Sequence, residues 1–187
     1  MRVTWVLSME QTMAPLQPKG GHFGLILPLC TSSATVGLAL FQYPLFSSML
    51  SATPSIAGAP FSRFWAAFIK PAAPFFASAA LVSAVSGVIC GRWLHTHATL
   101  ETTDVSRFYV YGAVLAAGHL ASMPAVAGPI KRMADGANGD GDDAAIEKVN
   151  REEMKTWFLW HTVRTLLVDI PALWCFAEGV ALSFWVV

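Results

Sequence analysis

Apolar stretches long enough to cross a lipid bilayer constrain this chain more than any other feature. Residues 23–46 contain no charged side chain, and about 20 such residues suffice to span the hydrocarbon core as a helix. Three further stretches follow at residues 72–94, 108–130 and 157–187. Because a backbone in lipid must satisfy its own hydrogen bonds, we expect a helix in each. The predicted fold class is therefore all-α, an integral membrane bundle of four helices.

The composition agrees with residence in a membrane. Hydrophobic residues make up 55% of the 187 residues and charged residues 13%, with a mean hydropathy of +0.51. A soluble domain of this size is rarely so apolar. The formal net charge is zero and no large basic patch is present, which argues against nucleic acid as a partner. The three cysteines lie apart in apolar segments, without CxxC spacing, and are expected to be buried thiols.

The chain divides into a leader and one membrane domain. Residues 1–20 lack the sustained apolar core of a signal peptide and are predicted to be a flexible leader. Residues 21–187 then form a single four-span domain. Loops one and three carry more lysine and arginine than the leader and loop two, so the positive-inside rule places both termini on the non-cytosolic side.

The first loop is predicted to contain an amphipathic helix lying in the membrane interface. Residues 47–60 are rich in serine, proline and glycine, which indicates a loop. Aromatic residues then recur at helical spacing. They anchor the bundle as an aromatic belt or form a lid over a site between the helices. These residues are Phe61, Phe64, Trp65 and Phe68.

Small residues recur every four positions in the second and third spans. Such stripes let two helix backbones approach closely, so we expect these spans to pack directly on each other. The stripes are Ala79, Ser83, Gly87 and Gly91 in the second span, and Ala113, Ala117, Ala121 and Ala125 in the third.

Two polar segments connect the later spans. His95 and His97, with the carboxylate of Glu101 nearby, are residue types that hold zinc or iron. Their spacing is weakly specific and favours a solvated polar turn at the membrane surface over a metal site, so we predict no metal ligands. Residues 131–155 are hydrophilic and are interpreted as a linker, from which a helix beginning near Ala144 runs into the fourth span.

Ionisable side chains inside the apolar spans are the candidate functional residues. Each costs at least about 2.5 kcal/mol at membrane depth and is therefore expected to face the bundle interior. On a helical wheel Trp157, His161 and Arg164 share a face, while Asp169 lies well to one side. Pro171 is expected to bend the helix around a cavity that this face lines.

Two of these residues have alternative roles. His119, in the middle of the third span, is either a buried histidine bonded to a neighbouring helix or a proton-handling group. Arg164 either forms an ion pair with Asp169 or Glu178, or stabilises a negative charge that develops on a substrate. Both roles of Arg164 are compatible, because a catalytic arginine needs an orienting partner.

The run Trp-x-x-x-His-x-x-Arg at Trp157, His161 and Arg164 resembles a motif of a known family. Together with residues 37–46, which end in Tyr-Pro-Leu-Phe, and the stretch around Trp65, it is similar to the DUF1772 family of small four-span membrane proteins. Within this family the chain looks most like the fungal anthrone oxygenases of polyketide gene clusters. The resemblance covers residues 22–185, and the family's usual asparagine in the run is replaced by His161.

The resemblance implies a reaction and its partners. The reaction is oxidation of an aromatic polyketide anthrone to an anthraquinone by O2, without flavin, haem or metal cofactor. The partners are the substrate, O2, the lipid bilayer and soluble polyketide pathway enzymes. The expected location is an endomembrane such as the endoplasmic reticulum, if the protein is fungal.

On this hypothesis the site residues take defined roles. His161 or His119 is the base, and Arg164, oriented by Asp169, faces the enolate oxygen. The flat substrate stacks on aromatic rings. The predicted stacking residues are Trp157, Trp160 and Trp65.

Two other functions fit the same sequence. One is a non-oxidative membrane cyclase or isomerase of secondary metabolism that uses the same histidine and arginine as acid and base. The other is a non-catalytic membrane scaffold that holds soluble enzymes at the bilayer. The bundle could enclose a pocket alone, or a homodimer interface could supply one.

Overall fold

The computed structural model describes residues 23–52, 56–97, 103–138 and 142–186. Within these ranges all the regular secondary structure is helical. Four segments are long and apolar enough to cross a membrane: Gly24–Ser51, Ala59–His97, Asp104–Asp135 and Asp143–Phe184. The predicted all-α four-helix bundle is confirmed, and residues 1–20 lie outside the described ranges. The elements are α1 (Leu27–Ser51, after a 3₁₀ turn at Phe23–Ile26), α2 (Ala59–His97), α3 (Thr103–Ala121), α4 (Met123–Asp135, before a 3₁₀ turn at Gly136–Asn138), α5 (Asp143–Arg164), a π-helical turn (Thr165–Asp169) and α6 (Ile170–Val186).

Prolines interrupt the helices without ending them. The first apolar stretch was predicted to end at residue 46, but α1 contains Pro44 and continues to Ser51. A proline removes one backbone hydrogen bond, and a helix in a bundle tolerates this loss when neighbouring groups compensate. The third span instead divides at Ser122, just before Pro124, into α3 and α4. The Ser122 hydroxyl donates to the His119 carbonyl at 2.7 Å and satisfies the backbone at this break.

The separate interfacial helix predicted in the first loop is not formed. Its aromatic residues belong to the first turns of α2, a continuous helix from Ala59 to His97. Phe61 and Trp65 are fully buried and pack with Phe46 in an aromatic cluster inside the bundle. Because these rings bury against other helices, their helical periodicity marks a core face and not a membrane-surface face.

Helices α2 and α3 make the most extensive contact in the bundle, as the small-residue stripes predicted. A methyl group added to Gly87 would lie 3.0 Å from the Ala113 side chain. The predicted stripe on α3 is only partly correct, because Ala117 and Ala121 are exposed. The buried face of α3 runs instead through Tyr109, Ala113 and Ala116 to His119.

The polar first half of α5 ties the ends of other helices together. This helix begins at Asp143, as expected near Ala144. The Asp143 carboxylate accepts from the Ala59 amide at 2.8 Å, at the start of α2. The buried Asn150 amide donates to the Ala57 carbonyl at 2.6 Å and to the Gly58 carbonyl at 3.1 Å. These contacts hold the start of α2 against α5.

Two apolar clusters fill the bundle, one toward each end. The first cluster lies among α2, α3 and α6, and the second among α1, α2, α4 and α5. The helices that connect the two clusters carry the ionisable side chains of the interior. The first cluster is Leu25, Cys90, Leu94, Val105, Tyr109, Ala116, Ala172, Phe176 and Val180; the second is Phe46, Phe61, Trp65, Val126, Met133, Met154 and Trp157.

Candidate functional site

A π-helical turn brings Asp169 to the bundle interior. In a regular α-helix, residues five apart are rotated by about 140°, which is why the wheel placed Asp169 away from Arg164. At Thr165–Asp169 the backbone bonds span five residues, and the Ile170 amide donates to the Thr165 carbonyl. The turn adds one residue to the helix repeat and rotates Asp169 inward, where it is 3% exposed. The placement of Asp169 off the polar face was therefore wrong.

The four ionisable residues predicted for the site form one hydrogen-bonded chain. His119 Nδ1 lies 2.8 Å from Asp169 Oδ1, and Arg164 Nε donates to Asp169 Oδ2 at 3.2 Å. Arg164 Nη2 lies 2.8 Å from His161 Nδ1, and His161 Nε2 lies 3.0 Å from the Ala39 carbonyl oxygen. Arg164 thus pairs with Asp169, while Glu178 is not among its partners.

The donors and acceptors of this chain fix the histidine tautomers. A guanidinium only donates, so His161 Nδ1 must accept from Arg164 and its Nε2 must donate to Ala39. His161 is therefore neutral, with both ring nitrogens engaged. Asp169 accepts, so His119 carries a proton on Nδ1, and in the neutral form of the ring Nε2 holds the free lone pair. Arg164 and Asp169 form an ion pair, with Nε 3.2 Å from Oδ2.

An apolar cavity of about 320 Å³ lies beside this chain. Only two of the four ionisable residues line it, His119 and Arg164. His161 is fully buried behind the wall, with its ring stacked on Trp157 at a centroid distance of 4.5 Å. The other lining residues are Gln42, Trp65, Phe68, Ile69, Ala73, Phe76, Met123, Val126, Ala127, Ile130, Lys131 and Trp157.

The cavity distinguishes the two candidate bases. Within the described ranges His119 Nε2 makes no hydrogen bond, and protein atoms do not enclose it completely. Because the ring lines the cavity and Nδ1 is bonded to Asp169, Nε2 is the nitrogen that is available to bind a ligand. His161 does not line this cavity, and its only lone pair accepts from Arg164. The geometry favours His119 as the base and His161 as a residue that positions Arg164.

The three tryptophans predicted to stack on a substrate occupy different places. Trp65 and Trp157 both line the cavity and meet each other edge to face, with ring centroids 5.5 Å apart. The Trp65 indole donates to the Ile130 carbonyl at 3.2 Å, which holds its ring in one orientation. Trp160 is 45% exposed on the outer face of α5 and does not line the cavity. The structure therefore does not bring Trp160 to the site.

Gln42 is a site residue that sequence reasoning missed. It is 6% exposed, lines the cavity, and its amide bonds to none of the other described residues. The available signal was an uncharged polar side chain in an otherwise apolar span, on the helical face of Thr35, Ala39 and Phe46. The cue for the π-helical turn was Pro171, which follows it and cannot donate to the backbone of the preceding turn.

The alternative metal site at the end of α2 is only partly described. His95 is exposed, and His97 Nδ1 lies 3.0 Å from the Trp93 carbonyl oxygen within the same helix. Glu101, the carboxylate considered with them, falls outside the described ranges. In the part of the chain that is described, no group of three or more histidine, cysteine, aspartate or glutamate residues is placed to hold a metal ion.

Comparisons with protein-family models, curated proteins and solved structures found no match for this chain. The resemblance to the DUF1772 family therefore stays a prediction, which rests on the short motifs around Trp157, Trp65 and residues 37–46. What the structure adds is independent of that resemblance: a multi-pass helical bundle with an aromatic cavity, a carboxylate-oriented imidazole and a guanidinium at its wall.

Proposed function

We propose that this chain is a membrane-embedded oxygenase that oxidises an anthrone to an anthraquinone with O2. The supporting observation is the meeting of His119 and Arg164 at the wall of an apolar cavity of about 320 Å³. This volume falls in the range of ligand pockets, roughly 300–1,000 Å³. The substrate class comes from the resemblance, and the cavity offers what that class needs: apolar aromatic walls, a base in His119 and a cation in Arg164.

The first step is removal of a proton from the anthrone methylene. The two aromatic rings and the carbonyl acidify this position, so a positioned imidazole is a sufficient base. His119 Nε2 takes the proton, and Asp169, 2.8 Å from Nδ1, orients the ring and stabilises the imidazolium that forms. A carboxylate behind a histidine plays the same part in other proton-transfer sites.

The negative charge that develops on the substrate oxygen is stabilised by Arg164. Its guanidinium lines the cavity and is held by Asp169 on one side and His161 on the other. A preorganised charge in a site of low water content stabilises a developing oxyanion strongly. His161 accordingly acts through Arg164 and is a positioning residue.

The remaining steps use O2 as the oxidant. The enolate transfers one electron to O2, and the resulting radical and superoxide combine at the former methylene carbon. Protonation by the His119 imidazolium gives a hydroperoxide. Loss of the remaining hydrogen at this carbon, with cleavage of the O–O bond, releases water and leaves the second carbonyl. One oxygen atom enters the quinone, and the other leaves as water with both methylene hydrogens.

The test is turnover of emodin anthrone by membranes that contain the protein, in air and under nitrogen. The variants are His119→Ala, His119→Gln, which can still donate to Asp169, and His161→Asn, whose amide offers both a donor and an acceptor. His95→Ala, at the exposed end of α2, is the matched histidine control. Membranes without the protein give the spontaneous rate, and folded protein is quantified for each variant by gel filtration in detergent.

We expect oxygen-dependent quinone formation that falls by about 100-fold or more in both His119 variants, the range of a lost general base. His161→Asn should retain most of the activity, and His95→Ala all of it. Conversion that continues under nitrogen would favour the cyclase or isomerase. No conversion above the spontaneous rate would overturn the oxygenase, and loss in His161→Asn with retention in His119→Gln would make His161 the base.

A further inference from the structure

Gln42 presents an unpaired amide to the cavity. The residue is 6% exposed and hydrogen-bonds to none of the described residues, and its amide atoms are not among their fully enclosed unpaired atoms, so a group in the cavity can reach them. An amide that makes no hydrogen bond in apolar surroundings is energetically unfavourable. The site's other polar side chains differ in this respect, because Arg164 and His119 each have a partner. A polar group at the wall of an apolar, ligand-sized cavity is available to orient a ligand.

The backbone around Gln42 is fixed against α5. One turn earlier, the Ala39 carbonyl accepts from His161. On the next residue, the Tyr43 hydroxyl lies 2.7 Å from the Thr162 hydroxyl, and its ring stacks on Phe158 at a centroid distance of 5.5 Å. Helix α1 therefore cannot rotate Gln42 away from the cavity without breaking these contacts. Its amide is a preorganised group, as recognition of a specific ligand requires.

We propose that Gln42 is a specificity-determining residue that binds a phenolic hydroxyl of the aromatic substrate. This inference rests on the proposed function and adds a chemical requirement to it. A side-chain amide has two N–H donors and a carbonyl acceptor. A phenol matches it, because its O–H donates to the amide oxygen while its oxygen accepts from the amide nitrogen. A ring carbonyl could only accept, and the oxygen that becomes charged is better placed at Arg164.

The consequence is discrimination against substrates that lack the hydroxyl. A site built to bind a hydroxyl leaves its own polar groups unpaired when the ligand has none, and this penalty produces selectivity. A neutral hydrogen bond of this kind changes affinity by about tenfold. Hydroxylated tricyclic ligands should therefore bind about tenfold more tightly than the unsubstituted ring system.

The experiment measures binding of anthraquinones to the purified full-length protein in detergent, by quenching of tryptophan fluorescence and by equilibrium dialysis. Anthraquinone is compared with its 1-hydroxy, 2-hydroxy and 1,8-dihydroxy derivatives. Because these quinones do not undergo the oxidation, their binding is independent of catalysis. The variants are Gln42→Leu and Gln42→Asn, with Met123→Leu as a matched control that alters the cavity wall without removing a polar group.

We expect the wild type to prefer at least one hydroxylated ligand by about tenfold. In Gln42→Leu this ratio should fall to near one through weaker binding of the hydroxylated ligand, and Met123→Leu should keep it. In Gln42→Asn the affinity ratio should lie between those of the wild type and Gln42→Leu, because the shorter side chain places its amide farther from the ligand. A preference that survives in Gln42→Leu, or no preference in the wild type, would overturn the role of Gln42 alone. No binding of any ligand by the wild type would overturn the proposed substrate class as well.

Discussion

Replacing Asp169 by asparagine tests whether one buried carboxylate organises the polar layer. The Asp169 side chain is 3% exposed and accepts hydrogen bonds from His119 and Arg164. Asparagine has nearly the same size but no charge, and only one of its two terminal atoms accepts. The variant therefore leaves Arg164 without a counter-charge and one of the two donors without an acceptor.

The expected loss of stability follows from the burial of the pair. Breaking a buried ion pair by neutralising one partner costs about 3–5 kcal/mol, because the other charge is left uncompensated. The Arg164 side chain is 14% exposed at the cavity wall, so some solvent reaches it and the lower end of this range applies. We expect Asp169→Asn to reduce the free energy of unfolding by about 3 kcal/mol, which lowers Tm by roughly 6–12 °C for a chain of this length.

A second substitution separates the charge effect from loss of shape. Arg164→Met alone leaves the Asp169 carboxylate buried and unpaired, at a similar cost. The double variant Asp169→Asn with Arg164→Met removes both charges, so it should be more stable than either single variant. Unfolding is followed by tryptophan fluorescence in mixed micelles with increasing denaturing detergent. Asp135→Asn, which breaks the exposed ion pair with Lys131, is the matched control and should change stability by less than about 1 kcal/mol.

The reasoning would be refuted if the losses in the two single variants simply added in the double variant. Additivity is the behaviour of residues that do not interact. A loss in Asp169→Asn as small as that in Asp135→Asn would refute it equally, because the buried and exposed pairs would then be equivalent. Either result would mean that Arg164 finds another partner when Asp169 is neutral.

Two further predictions concern packing and the helix ends. Gly87→Ala should destabilise the bundle by about 1–3 kcal/mol, because the added methyl group would lie 2.8 Å from the Phe176 ring. The control Gly37→Ala adds a methyl group with nothing within 4 Å and should be neutral or slightly stabilising by helix propensity. Equal effects of the two substitutions on thermal unfolding would contradict the close packing at Gly87. Asn150→Ala should lower the free energy of unfolding by about 1–3 kcal/mol, because the Ala57 and Gly58 carbonyls lose the donor that the Asn150 side chain provides. Thr156→Ala, on the exposed face of the same helix, should change it by no more than about 0.5 kcal/mol. Unfolding in the same detergent series measures both variants, and an unchanged stability in Asn150→Ala would show that water replaces the amide.

Sequence reasoning predicted the helical fold and the number of long apolar spans, but not where the helices begin and end. The four spans were found because a helix in lipid needs a long apolar run, which is a local property. Their ends extend beyond the apolar runs, and α2 begins at Ala59 instead of residue 72. The aromatic stretch around Trp65 was assigned to a membrane surface because its periodicity is the same for lipid and for protein neighbours. Only the rings that it meets, such as Phe46 and Trp157, distinguish the two.

The members of the site were largely foreseen, but their arrangement was not. His119, His161, Arg164 and Asp169 were selected because an ionisable side chain at membrane depth is costly and usually faces a functional interior. Their roles depended on the π-helical turn before Pro171, which turned Asp169 toward His119, 50 positions earlier in the chain. Gln42 escaped notice because an uncharged amide costs less in an apolar span and is therefore a weaker signal.

The apolar spans and the few ionisable residues within them could be predicted without a structure, because the cost of placing polar groups in lipid acts on each segment separately. Helix packing sets which histidine lines the cavity, which tryptophans line it and which carboxylate binds Arg164. These choices depend on the rotation of each helix against its neighbours. Packing sets that rotation over the whole bundle, and a single added residue in one helical turn is enough to change it.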